Sequence, residues 1–389
     1  MALRDLFLLD PGTVFLNHGS FGACPAEVLE AQHAFQREME RNPVEFLARR
    51  SAALLADARA RLAGYLGARP ADLVFVANAT TGVNTVARSL ALAVGDEVLT
   101  TDHEYGACDA AWEWLCGRVG ARLVRVPIPP PFRREEFAER ILAAVSSQTR
   151  LIFLSHLTSG TALIFPVGEV CRRARERGIP TLIDGAHAPG HIPLALDELG
   201  ADFYVGNCHK WLCAPKGAGF LHVRPEHHGV LDGVVISWGY AAARGRDSEF
   251  EAYTGSSLLE RRHQWQGTRD ISAFLAVPAA IDFLERHDWG RVQRACHALA
   301  LETRNRIDNL TDLAPICADD DFGQMVAVAL PPCDAAALRV RLYERHRIEV
   351  AVTRHGGMPL LRVAFQGYNT GADADVLVAA LTSELRAVR

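Results

Sequence analysis

The 389-residue chain has almost no lysine. Of its 41 basic side chains, only Lys210 and Lys216 are lysines, and the other 39 are arginines. Average usage would give about twenty lysines at this length. Arginine stays protonated and cannot serve as an amine nucleophile, so covalent amine chemistry is confined to two positions. The same scarcity excludes a lysine-rich nucleic-acid tail or a polybasic membrane patch. A net charge of −5 offers no basic excess to a polyanion, so no nucleic-acid partner is expected. No run approaches the ~18 apolar residues of a membrane span. The opening stretch MALRDLFLLDPGTVFL lacks an apolar core with a small-residue cleavage site, so no signal peptide is expected. The nine cysteines are odd in number and contain no C-x-x-C, which reads as reduced thiols in a cytoplasmic protein. No G-x-G-x-x-G follows a strand pattern, which counts against a nicotinamide dehydrogenase.

What is present is the composition of a globular protein, 49% hydrophobic and 22% charged, long enough for two or three domains. Short apolar runs recur at Leu73–Val76, Glu97–Thr100, Arg122–Val126, Leu151–Leu154, Thr181–Ile183, Phe203–Val205 and Gly219–Val223. Helical patterns fall between them at Thr81–Ala93, Ala107–Val119, Glu135–Val145 and Pro166–Arg177. Strand cores that are nearly all apolar fit a mostly parallel sheet buried on both faces, and the alternation with helices predicts an α/β fold. Two helices are expected earlier, over Pro25–Arg41 and Val44–Gly67, broken at Asn42-Pro43. Residues 240–265 are polar and without clear period, and read as a long excursion. From Ala273 the pattern changes to long helices, then strands near 325–330, 348–352 and 361–364, with helices at Ala335–His346 and from Asp373. We therefore expect an N-terminal arm (1–24), a large α/β domain (25–265) and a smaller α+β domain (266–389).

Two strand ends carry chemistry. Thr181-Leu-Ile-Asp184-Gly-Ala-His187 ends an apolar strand in an acid, at the sheet edge where open α/β folds bind ligands; a helix N-cap is the plainer role for Asp184. Phe203-Tyr-Val-Gly-Asn207-Cys-His209-Lys210-Trp211 ends another strand in one of the two lysines. Lys216, in Ala-Pro-Lys-Gly, belongs to a turn. An acid and a lysine on neighbouring strand ends suit pyridoxal phosphate: the lysine forms an imine with it, and the carboxylate keeps the ring nitrogen protonated. Its phosphate needs backbone N–H groups at a helix start, which Asn78-Ala79-Thr80-Thr81-Gly82 supplies, although Thr-Thr would equally make a plain capping segment. A metal site is not expected. Pro189-Gly190 prevent His187 and His191 from forming a helical pair, and Cys208, His209 and Cys213 lack a fourth ligand.

Further segments extend this pattern: Phe15-Leu-Asn17-His-Gly-Ser-Phe-Gly22, ATTGVN at 79–84, DGAHAPG at 184–190, GNCHKW at 206–211, APKGAGFLHV at 214–223, QGTRD at 266–270 and LRVAFQGYNT at 361–370. Nearly end to end, the chain resembles the class V aminotransferase group of fold-type-I pyridoxal-phosphate enzymes, in its isopenicillin N epimerase-like branch. The resemblance implies Lys210 as the Schiff-base lysine and proton shuttle, and Asp184 as partner of the pyridine nitrogen. It implies His187 at the ring hydroxyl, where relatives often have Gln, and Thr80, Thr81, Asn207 and His209 around the phosphate. Tyr105 falls where an aromatic residue or histidine stacks on the ring, although it also reads as a core aromatic. Thr268 resembles a phosphate ligand reaching over from a partner subunit, which implies a homodimer with shared sites. Arg362 resembles the arginine that binds the substrate carboxylate, with Asn17 and Ser159 as further candidates for the substrate pocket.

The resemblance does not fix the reaction on the amino-acid substrate. Cysteine desulfuration needs a thiolate on a C-terminal loop; Val352–Met358 has none, and the nearest thiol is Cys333. An epimerase or racemase needs a second acid/base beside Lys210, for which Tyr105 or His103 is available. A C–S β-lyase acting on a cysteine conjugate or sulfoxide needs only Lys210 and a good leaving group. Transamination, or a binding protein that keeps the fold without catalysis, are further alternatives.

Overall fold

The computed structural model describes residues 2–243 and 254–386. A two-residue strand, β1 (Val14–Phe15), precedes the helices Ala26–Arg41 and Ser51–Leu66. The pattern over Val44–Gly67 reads as one α-helix, but its first part, Glu45–Arg50, is wound as a π-helix, with the wider i→i+5 repeat. Gly67 ends the second helix at a left-handed φ of 62°, the usual glycine stop.

Seven strands then alternate with helices: β2 (Leu73–Val76), β3 (Glu97–Thr101), β4 (Arg122–Val126), β5 (Thr149–Ser155), β6 (Thr181–Gly185), β7 (Phe203–Asn207) and β8 (Gly219–Val223). They form one sheet in the order β2-β8-β7-β6-β5-β3-β4. β3 to β7 pair in parallel, and β8 runs antiparallel to β7 and β2. Alternate residues serve opposite faces of a strand: in β5, Leu151 and Phe153 join one apolar core while Ile152 and Leu154 join the other. Both faces are covered by helices, as the apolar runs imply. The helix expected over Thr81–Ala93 instead spans Ala79–Ser89. Asn78 sets its earlier start by accepting the Thr81 N–H at 2.9 Å, a side-chain N-cap.

Of the excursion expected over 240–265, residues 244–253 lie outside the described residues. Its far flank is ordered: Leu258–His263 is a helix started by a reciprocal capping box between Ser257 and Glu260. That S-x-x-E signal is legible in the sequence. Further helices, Val277–Arg286 and Trp289–Thr311, lead to β9 (Met325–Ala329), β10 (Ile348–Glu349), β11 (Ala351–His355) and β12 (Met358–Ala364). β12 pairs antiparallel with β11 and β9. β10 pairs in parallel with β1, and Asn17 bridges to Ala364. The N-terminal segment is thereby bound to the C-terminal sheet, which brings Asn17 beside Arg362. Among the described residues, no helix is long and apolar enough to cross a membrane.

Candidate active site

Five strand ends, those of β2, β3, β5, β6 and β7, converge on one cavity of about 230 Å³. All are carboxyl ends, the edge at which an open α/β sheet leaves room for a ligand. Thr80, Tyr105, Ser159, Asp184, His187, Asn207, His209 and Lys210 line it, together with Ser20 and Phe21 of the N-terminal segment. Gly22 allows that segment to lie against β7's exit: a Cβ there would stand 2.0 Å from the His209 carbonyl oxygen, at a φ of 71°.

Lys210 leaves the end of β7, and its Nζ lies 2.9 Å from His187 Nε2. Burial pulls the amine's pKa down to about 7, with Arg362 pushing in the same direction and Asp184 opposing. At neutral pH much of this amine is uncharged, the form that attacks carbonyl carbon. Burial and the nearby Lys210 also hold His187 well below the ordinary histidine range. Asp184, 3% exposed at the end of β6, accepts the Ala186 N–H at 2.8 Å and the Cys108 thiol at 3.5 Å. Burial raises its pKa against that backbone hydrogen bond.

The opposite wall is a helix start. Asn207 accepts the Ala79 N–H at 2.8 Å, and Asn78 accepts both the N–H and the hydroxyl of Thr81. These bonds pin the first turn of Ala79–Ser89 against β7. Gly82 makes that approach possible, since a Cβ there would stand 2.5 Å from Val205 Cγ1. Thr80 lines the cavity, whereas Thr81 is turned into the cap and does not. His209 donates its Nδ1–H to Ala218 O at 3.2 Å if that nitrogen carries the proton.

Arg362, on β12, is 5% exposed and adjoins the cavity through two lining residues. Its Nη1 donates to Ser159 O at 2.6 Å, and its Nη2 to Ser20 Oγ at 2.8 Å and Asn17 Oδ1 at 3.0 Å. Asn17, Ser159 and Arg362 are thus brought together. Burial lowers the guanidinium pKa to about 10.

Besides Thr81, two sequence candidates are not brought in. His103 is buried outside the cavity, with its ring nitrogens 2.7 Å from Thr161 Oγ1 and from Ile128 O and its ring against that of His355. It has no free nitrogen to offer as an acid/base. Thr268 is exposed and lies outside this chain's cavity. Tyr105 is not a core aromatic: it is 47% exposed at the mouth. Sequence reasoning missed Ser155 and Leu157, although Ser155 ends β5 just as Asp184 ends β6. It also missed Cys108, one turn beyond Tyr105, for which no signal existed.

An amine nucleophile, a buried carboxyl and a helix start open on the same cavity, a donor set that fits pyridoxal 5'-phosphate. Lys210, Asp184, His187, Tyr105, Thr80, Asn207 and His209 are the residues that could hold it. A family model described as Aminotransferase class-V matches residues 14–377. Isopenicillin N epimerase of Amycolatopsis lactamdurans is 41% identical over 385 residues, covering 97% of this chain and 96% of that protein. Hercynylcysteine sulfoxide lyase of Schizosaccharomyces pombe is 30% identical over 308 residues, covering 77% and 76%. The apo structure of a cysteine desulfurase from Thermococcus onnurineus NA1 superposes with a TM-score of 0.82 at 20% identity, covering all of both chains; that likeness shows the fold. Across Val352–Met358, β11 turns straight into β12 through Gly356 and Gly357, with no cysteine to supply a desulfurase thiolate. Burial raises the thiol pKa of Cys333, away from the thiolate.

Proposed function

The chain belongs to the class V aminotransferase family, and within it we propose an amino-acid epimerase or racemase of the isopenicillin N epimerase-like kind. It is an enzyme, and its cofactor is pyridoxal 5'-phosphate. When bound, this cofactor draws electrons away from the substrate's Cα and makes the Cα–H bond acidic. Lys210 takes the Cα proton at Nζ. With the cofactor bound, Asp184 would keep a proton on the ring nitrogen, and His187 would face the ring hydroxyl. Thr80, Thr81, Asn207 and His209 secure the phosphate, Thr81 by shaping the helix start. Arg362, set by Asn17, Ser20 and Ser159, binds the substrate's α-carboxylate as a two-pronged donor. Tyr105, at the mouth of the cavity, would cover the ring and serve as the second acid/base that inversion requires.

One observation carries the reading: the Lys210 amine, 2.9 Å from His187 Nε2, shares a single cavity with a buried carboxyl and an exposed tyrosine. Incubating one enantiomer of candidate amino acids in deuterated water tests it. Deuterium at Cα with inverted configuration is expected; exchange with full retention would sink the epimerase reading.

A second reading, C–S β-elimination, is favoured by the likeness to a sulfoxide lyase and requires only Lys210. It predicts pyruvate from a cysteine conjugate or sulfoxide, and no keto acid across a panel would remove it. We further infer a homodimer in which Thr268 serves the phosphate of the other copy; its exposure outside its own cavity supports this. Nine unpaired cysteines support a cytoplasmic location.

A further inference from the structure

Trp211 follows Lys210 in the chain and is completely buried. Its ring packs against two imidazoles, with centroids 4.0 Å from His191 and 5.0 Å from His18. In that packing the indole N–H donates to His187 Nδ1, 3.2 Å away. The other nitrogen of His187, Nε2, faces Lys210 Nζ at 2.9 Å. An indole N–H is a donor only, so Nδ1 is bare and a neutral imidazole carries its proton on Nε2. That Nε2–H needs an acceptor in Lys210, which an uncharged amine offers and an ammonium does not.

We propose that Trp211 is a positioning residue which fixes the Nε2–H tautomer of His187 and thereby holds Lys210 as a free amine. With Lys210 charged, an ammonium N–H would point at Nε2, and the imidazole proton would move to Nδ1. Two N–H groups, of Trp211 and His187, would then face each other with no acceptor between them, on two buried side chains. Burial and the nearby Arg362 act on the amine in the same direction, while Asp184 and Cys108 oppose; Trp211 adds a directional constraint that none of these supplies. Complete burial and the packing against His191 and His18 hold the indole in place. The functional meaning rests on the proposed role of Lys210, but the test does not need catalysis.

The two-lysine composition makes the test clean. Lysine labelled with 13C at Cε gives one resonance for Lys210 and one for Lys216, which Lys216→Arg assigns. In the cofactor-free full-length chain, Trp211→Phe raises the Lys210 titration midpoint by about one pH unit, a tenfold change in the charged-to-uncharged ratio. Lys216 does not move. In a His187→Phe background, Trp211→Phe shifts Lys210 no further. 15N spectra of wild-type His187 show Nε2 protonated and Nδ1 bare. An unmoved Lys210 midpoint in a folded Trp211→Phe protein overturns the proposal. A proton on Nδ1 of wild-type His187 also overturns it, and needs no variant that folds. A failure of the cofactor reading appears separately, as a missing visible absorption band, and leaves both of these readouts intact.

Discussion

Lys210 and Lys216 are six residues apart in the sequence, yet they occupy opposite environments. Lys210 leaves the end of a buried strand and puts its amine beside His187 at the floor of a cavity. Lys216 is exposed in the turn before β8, where water solvates its charge. The difference teaches that a lysine's chemistry is made by its surroundings: burial and a nearby guanidinium favour the uncharged amine of Lys210 against the opposing pull of the Asp184 carboxyl.

The sharpest way to break the comparison is to remove each amine in turn. Lys210→Ala abolishes turnover, by about 10³-fold or more for a group acting as both nucleophile and base, while Lys216→Ala stays within about twofold. Steady-state kinetics on the same substrate reads both. Asp184→Asn, which takes the acid but leaves Lys210 in place, lowers kcat by about 100-fold. Arg362→Lys keeps the charge but loses the fork, and raises KM about tenfold with a smaller change in kcat.

A subtler contrast lies in stability. The Lys210 pKa falls from 10.5 to about 7 in the fold, so between these values the unfolded chain binds more protons than the native one. By linkage, stability then rises with pH across that window and the contribution is lost as pH falls to about 7. Denaturant titrations of the cofactor-free chain at pH 7 and pH 9 read it: Lys210→Met flattens the rise, and Lys216→Met leaves it unchanged.

Much of this contrast is legible in the sequence. Scarcity reduced the candidates to two, and strand-end context separated Lys210 from Lys216. β2 and β8 fall where their apolar runs placed them, because strands buried on both faces leave a nearly unbroken hydrophobic trace; the edge strand β4, only partly buried, also falls at its expected place. The site was legible where it occupies strand ends, as at Asp184, His187 and Asn207. It was not legible where a contact depends on tertiary approach. Nothing in the sequence says that His103 turns toward Thr161 and Ile128 while Tyr105, two residues on, stays at the mouth. Nor does any periodicity show that Trp211 reaches back to His187, since that contact follows from how the loops after β6 and β7 are stacked. The π-helical entry at Glu45–Arg50 was missed because its residues read as ordinary helix formers.

The most direct test of the account is chemical. Borohydride reduction of the purified, cofactor-loaded chain, followed by peptide mass mapping, locates the lysine that carries pyridoxal phosphate. The account predicts one adduct per chain, on the peptide containing Lys210, with Lys216 unmodified. An adduct on Lys216, or none on either lysine, would contradict it.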